Sequence, residues 1–269
     1  MEANDRGGIT LAEKRQAQNG RIYVATVAEA ARENALNYGL GIECDEFCTS
    51  VNLEDPVYIQ RAHQNLEGID HRVLHAPFNE LCPAAIEPLV RQVSRYRFLQ
   101  AYEMAQSLGI RRMVVHSGFV PRIYFPEWFV EQSILFWKDL LKDMPDDCEL
   151  LLENVMEDKP QMDYDIVRGV DDPRLRLCLD VGHAHCVSKQ IPVRMWIKLW
   201  APYLRHVHLH NNDTSWDTHS ALDDGTLDME EVLELLIEWA PQATWTLEAL
   251  DAKRSCRWLK NNGWIEERV

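Results

Sequence analysis

Residues 175–185 read LRLCLDVGHAH, a six-residue β-type run that ends on Asp180 and passes into a polar tail with His183 three residues on. Successive side chains of a strand point to opposite faces, so Cys178 and Asp180 share one face and Leu179 takes the other. The stretch upstream, ELLLENV at 149–155, has the same design, with Leu151 and Glu153 on one face and Leu152 on the other. Downstream, LRHVHLHNND at 204–213 carries His208, and ATWTLE at 243–248 ends on Glu248. Towards the N-terminus the pattern continues in RMVVHS (112–117, with His116), HRVLHA (71–76, with His75), LGIEC (40–44) and RIYVAT (21–26).

Helical stretches separate these runs, among them 84–108, 126–143 and 229–239, the last with apolar positions three and four apart. Gly39 and Gly109 fall where helices should close, and Pro145 and Pro173 fall in loops. Eight strand–helix units over about 250 residues is the arithmetic of a (β/α)8 TIM barrel, an α/β fold in a single domain over 21–269. A doubly wound open sheet would carry a glycine-rich phosphate turn after its first strand, and ATVAEA at 25–30 contains no glycine. Residues 1–20 are polar without an apolar period and read as a poorly ordered N-terminal extension.

The composition, 46% hydrophobic and 26% charged over 269 residues, is that of a globular protein and excludes a disordered or fibrous chain. The 28 Lys and Arg against 43 Asp and Glu give a net charge of −15, which repels phosphate backbones and argues against nucleic acid as a partner. No apolar run approaches the ~18–20 residues of a membrane helix, and the opening MEANDRGG lacks the character of a signal peptide. The seven cysteines are odd in number and form no Cys-x-x-Cys pair, the usage of reduced thiols in a cytoplasmic protein.

In a barrel, the C-terminal strand ends converge on one face, where active sites of this fold lie. His75, His116, Glu153, Asp180, His208 and Glu248 end or nearly end six consecutive strands, and alternation turns them inward. A buried carboxylate without a partner costs several kcal/mol, so inward acids require a cation or protons. This mix of oxygen and nitrogen donors suits a divalent metal. Asp217 and His219 form an Asp-x-His pair in the loop after strand seven, on the same face.

These residues resemble the xylose-isomerase-like TIM-barrel superfamily, which includes sugar phosphate isomerases, ketose 3-epimerases, inosose dehydratases and nucleases of the endonuclease IV type. LLENV (151–155), LCLDVGHAH (177–185), HVHLHNND (206–213), DTH (217–219) and TLEAL (246–250) carry the resemblance. By analogy with the epimerases, Glu153, Asp180, His208 and Glu248 would hold one metal, chosen from manganese, cobalt, magnesium and zinc. By analogy with endonuclease IV, His75, His116, His183, Asp217 and His219 would be additional ligands in a cluster of up to three zinc ions. The wording Asp180-Val-Gly-His183 is that of the isomerase and epimerase side, where endonuclease IV reads Asp-Thr-Cys-His. Asp223-Asp-Gly225 stands where relatives often have Gly-x-Gly, and the extra acid tilts the expectation towards an unphosphorylated keto-sugar or polyol.

The resemblance therefore implies a metal-dependent isomerase or epimerase working through an enediolate, with Glu153 and Glu248 as the acid–base pair and His183 on a substrate oxygen. His75, His116, His210 and Trp216 are candidates for contact with the sugar. Arg122 and Lys159 are candidates for a phosphate, and His206 is placed nearer the barrel middle. The alternatives are an endonuclease-IV-like zinc phosphodiesterase acting on abasic DNA and a dehydratase or lyase of the inosose type. The aromatic helix PEWFVEQSILFW (126–137) is open to burial by the barrel or by a second copy in a homo-oligomer.

Overall fold

The structure is a computed structural model that describes residues 18–268. Eight parallel strands close in sequence order: β1 Ile22–Ala25, β2 Gly41–Cys44, β3 Arg72–His75, β4 Arg112–His116, β5 Glu149–Glu153, β6 Leu175–Asp180, β7 Leu204–Leu209 and β8 Thr244–Leu247. Pairing of Tyr23 with Thr246 joins β8 to β1 and completes the barrel. The fold is the (β/α)8 barrel that the sequence pattern predicts. Residues 1–17 of the expected extension lie outside the described residues, and Asn19–Arg21 form a 3-10 turn.

Around the barrel run α1 Ala31–Tyr38, α2 Pro56–Leu66, α3 Pro88–Ser107, α4 Pro126–Leu140, α5 Gln161–Val170, α6 Val181–Val187, α7 Val193–Trp200, α8 Met229–Trp239 and α9 Ala252–Asn261. The connection after β6 carries two helices, the short α6 and then α7. The helix expected over 84–108 begins four residues late, at Pro88. The ring of Pro88 suits the first helical position, and the Glu87 side chain caps the Leu89 N–H at 3.1 Å. Gly39 closes α1 in the left-handed region (φ 64°), its N–H on the carbonyls of Ala35 and Leu36.

Two apolar groups follow from the strand alternation. Tyr23, Val73, Val114, Leu151 and Cys178 fill the barrel interior. Leu152, Leu179 and their equivalents join the much larger layer between sheet and helices. Phe129, Phe136 and Trp137 of α4 are buried in that layer, with Trp137 stacked on Phe98 at 5.5 Å, so the barrel covers the face of the helix that carries them, while Leu135 is exposed. All seven cysteines are free. No described helix is long and apolar enough to cross a membrane.

Candidate metal centre

Strand ends and the loops beyond them bring polar side chains to a cavity of about 610 Å³ at the C-terminal mouth of the barrel. Glu153 is its middle. One carboxylate oxygen, Oε2, lies 3.2 Å from His75 Nε2 and 3.0 Å from His116 Nε2. The other, Oε1, lies 3.3 Å from His208 Nδ1 and 3.4 Å from His183 Nδ1. A single acid at the end of β5 thus faces two groups of donors at once.

Three ligand groups adjoin one another, each with donor atoms within 4.8 Å: His75–His116–Glu153, Glu153–Asp180–His208–Glu248, and His183–His210–Asp217–His219. The central group is buried throughout. Local structure sets its geometry. Asp180 caps α6 by accepting the His183 N–H at 2.7 Å, which holds His183 beside it. Asn154 clamps the ends of β5 and β6 together, donating to the Asp180 carbonyl and accepting the Asp180 N–H. Gly182 is required where α6 meets β7, because a Cβ there would overlap the His210 ring. Gly182→Ala is therefore expected to cost about 1–3 kcal/mol in chemical unfolding, the range for overpacking a filled site. An unchanged midpoint would mean that His210 has room to move.

The acids and histidines of the site hold one another charged. Burial opposes ionisation of Glu153, yet His208 and His116 outweigh it and hold the carboxyl well below the usual range. Asp180 is likewise lowered to about 2 despite its burial, chiefly by His183 and His210. Burial disfavours charge on His208, but Cys178, Glu248, Glu43 and Glu153 drive its titration well upward. Without a metal, protons are drawn in to offset the acids.

Two orphaned atoms test whether a metal fits. His208 gives its Nε2 to Glu43 at 3.1 Å, so its Nδ1 is left as the free ring nitrogen. That Nδ1 has no hydrogen-bond partner, and neither does Glu248 Oε2, which faces it at 3.3 Å. An unsatisfied buried polar atom costs about 1–3 kcal/mol. A divalent cation among these atoms satisfies both. His210 Nδ1 and Asp217 Oδ1 are a second such pair, in the third group.

Most of the expected residues meet here, but His210 and Trp216, expected against the sugar, do not line the cavity. His210 is fully buried, with its Nε2 on Asp180 at 3.0 Å and its ring stacked on His219 at 3.9 Å. Trp216 is 75% exposed and absent from the cavity wall, since its loop turns it outward. Arg122 and Lys159 are also exposed and do not line it. Among the described residues, the Lys or Arg that does is Arg61 of α2, lying over the Tyr58 ring at 5.0 Å. Sequence reasoning missed the β2 side of the site, above all Glu43, which is fully buried and within 3.1 Å of both His206 and His208. The signal was present: Glu43 is the lone acid in a four-residue strand, flanked by Ile42 and Cys44.

A closed parallel barrel whose C-terminal mouth gathers carboxylates and histidines defines a class: a (β/α)8 barrel with a candidate metal site at its mouth. The family model described as xylose isomerase-like TIM barrel matches residues 40–266, and the chain belongs to that family. A curated relative, described as uncharacterized protein MJ1311 of Methanocaldococcus jannaschii, is 27% identical over 175 residues. That match takes in 62% of this chain and 60% of the relative, so it spans less than two thirds of the relative's length. A D-tagatose 3-epimerase-like protein superposes with a TM-score of 0.75 at 21% identity, covering 90% of this chain and 96% of that one. The TTHB071 protein of Thermus thermophilus, soaked with zinc chloride, gives 0.69 at 24% identity, covering 90% and 97%.

Proposed function

We propose that the chain is a divalent-metal-dependent isomerase or epimerase of a small keto-sugar or polyol. The observation that carries this reading is the central group, in which Glu153 and Glu248 each lie 3.3 Å from His208 Nδ1 and both line the cavity. Glu153, Asp180, His208 and Glu248 would hold the ion, which would supply Lewis acidity to the substrate carbonyl. The two glutamates then serve as the acid–base pair. Glu248, with an unpartnered Oε2, takes the proton from the carbon beside the carbonyl. Glu153, ionised at rest, delivers to the other face a proton that it draws from His75, 3.2 Å from its Oε2. His183, whose Nε2 is 3.1 Å from Asp217, orients a substrate oxygen.

A second reading has its own support. The outer groups flank the central one, and Glu153 belongs to two of the three, as a multinuclear zinc phosphodiesterase requires. Elemental analysis of the chain purified without chelator separates the two. About one manganese, cobalt or magnesium per chain, together with interconversion of ketoses or inososes, is the result expected from the isomerase. Two or three zinc ions per chain with cleavage of an abasic or model phosphodiester would overturn it in favour of the phosphodiesterase.

A further inference from the structure

We propose that Glu43 is a positioning residue of the metal centre: from beneath it, the carboxylate grips His208 and turns the free nitrogen of that ring towards the ligand group. This inference rests on the metal-dependent reading above. Glu43 projects from β2, outside the strands that supply the ligands, and none of its surface reaches solvent. Its Oε1 lies 3.1 Å from His208 Nε2. Its Oε2 lies 3.0 Å from His206 Nε2 and accepts the Thr246 hydroxyl at 2.5 Å. Facing an oxygen that only accepts, His208 Nε2 keeps its proton and donates, so Nδ1 is the nitrogen that gives up its proton to a metal. A ligating histidine is typically fixed in this way by a carboxylate on its other nitrogen.

The contacts around Glu43 form a built support. His206 stands between Glu43 and Thr244, whose hydroxyl meets its Nδ1. Arg112 donates to that Thr244 oxygen at 2.9 Å and pairs with Glu149 at 2.7 Å. The chain of contacts runs from the ligand group down the barrel interior to Arg112 and Glu149, which are 22% and 27% exposed. Each link restrains the next, and the Glu43 carboxylate has hydrogen-bond partners on both oxygens. Glu43, His206 and His208 also form a compact donor group of their own. Chemistry argues against a metal within it: His208 would have to surrender both ring protons to serve two ions.

The test compares wild type with Glu43→Gln, which keeps the shape and loses the charge. Zinc affinity is read by competition with a coloured chelator, and the cobalt-substituted protein is read by its visible absorption. A ~10–100-fold loss of zinc affinity is expected, the usual effect of removing such a partner. A changed cobalt spectrum is expected with it, while the number of ions bound per chain at saturation stays that of wild type. Equal affinity with an unchanged spectrum would overturn the proposal, leaving Glu43 a purely structural acid. Loss of one whole ion per chain with an unchanged spectrum for the rest would overturn it by making Glu43 a ligand. If Glu43→Gln fails to fold, Glu43→Asp carries the test, since a carboxylate retracted by one carbon should also weaken binding. A wild-type chain that binds no divalent metal removes the functional reading itself, whereas a wild type that binds and a variant that binds equally well removes only this one.

Discussion

Glu153→Gln is expected to lower kcat/KM by about a thousandfold or more on any substrate the wild type turns over, and to strip the chain of most of its metal. The magnitude follows from two losses at one residue. Removal of a positioned acid or base costs about 10²–10⁴ in rate. The amide also has only one oxygen to offer where the carboxylate has two. Oε2 faces His75 and His116, and Oε1 faces His208 and His183, so the amide –NH2 must be turned towards one pair or the other. Glu248→Gln is the informative partner. Its Oε2 faces His208 at 3.3 Å and His219 at 3.8 Å but neither His75 nor His116, so that variant should lose comparable activity while the His75–His116–Glu153 group keeps its donors. Elemental analysis and steady-state kinetics on the two variants check both statements. Full metal content in Glu153→Gln would show that the second carboxylate oxygen does not matter to binding.

Periodicity makes the barrel readable from sequence. A strand buried on both faces alternates between two apolar layers, so the residue that breaks the apolar run at its C-terminal end is the one aimed at the mouth. That logic points to His75, His116, Glu153, Asp180, His208 and Glu248, and the structure gathers them in two ligand groups that share Glu153. It applies equally to Glu43, yet β2 ends on an apolar Cys44, and a strand of four residues gives the alternation little length in which to be seen. Residues outside the strands were less accessible still. Trp216 and Arg61 both sit outside the periodic elements of the sheet, and nothing in local sequence says that one turns outward while the other reaches the cavity. The positions of Asn154 and Gly182 depend on the approach of neighbouring strands and of His210, contacts between residues 26 or more apart in the chain.

Removing the metal should destabilise the chain, and by more at high pH than at neutral pH. In the metal-free protein, burial disfavours charge on His219. The hydrogen bond to Asp217 and the charges of Glu248 and Asp180 outweigh it and raise the ring to about 9. His183 and the stacked His210 also face the ring, and Asp217 stays ionised because its hydrogen bonds with His183 and His219 overcome its own burial. An unfolded imidazole titrates near ~6.5. The folded pKa is the higher one, so the stabilisation is complete below ~6.5 and is lost as pH rises through about 9. Metal binding has the opposite sign, since imidazoles must be free of protons to ligate, and affinity therefore climbs over the same interval. At a thousandfold excess of metal over its Kd the bound state gains ~4 kcal/mol. At ~2–4 °C per kcal/mol for a domain of this size, that is a gap of ~8–16 °C between metal-loaded and EDTA-treated protein. Thermal unfolding at pH 6.5 and pH 8.5, with and without EDTA, should show the gap widening as the chelated midpoint falls. A gap that narrows with pH would mean that the histidines of the mouth do not bind the ion, and that the carboxylates alone hold it.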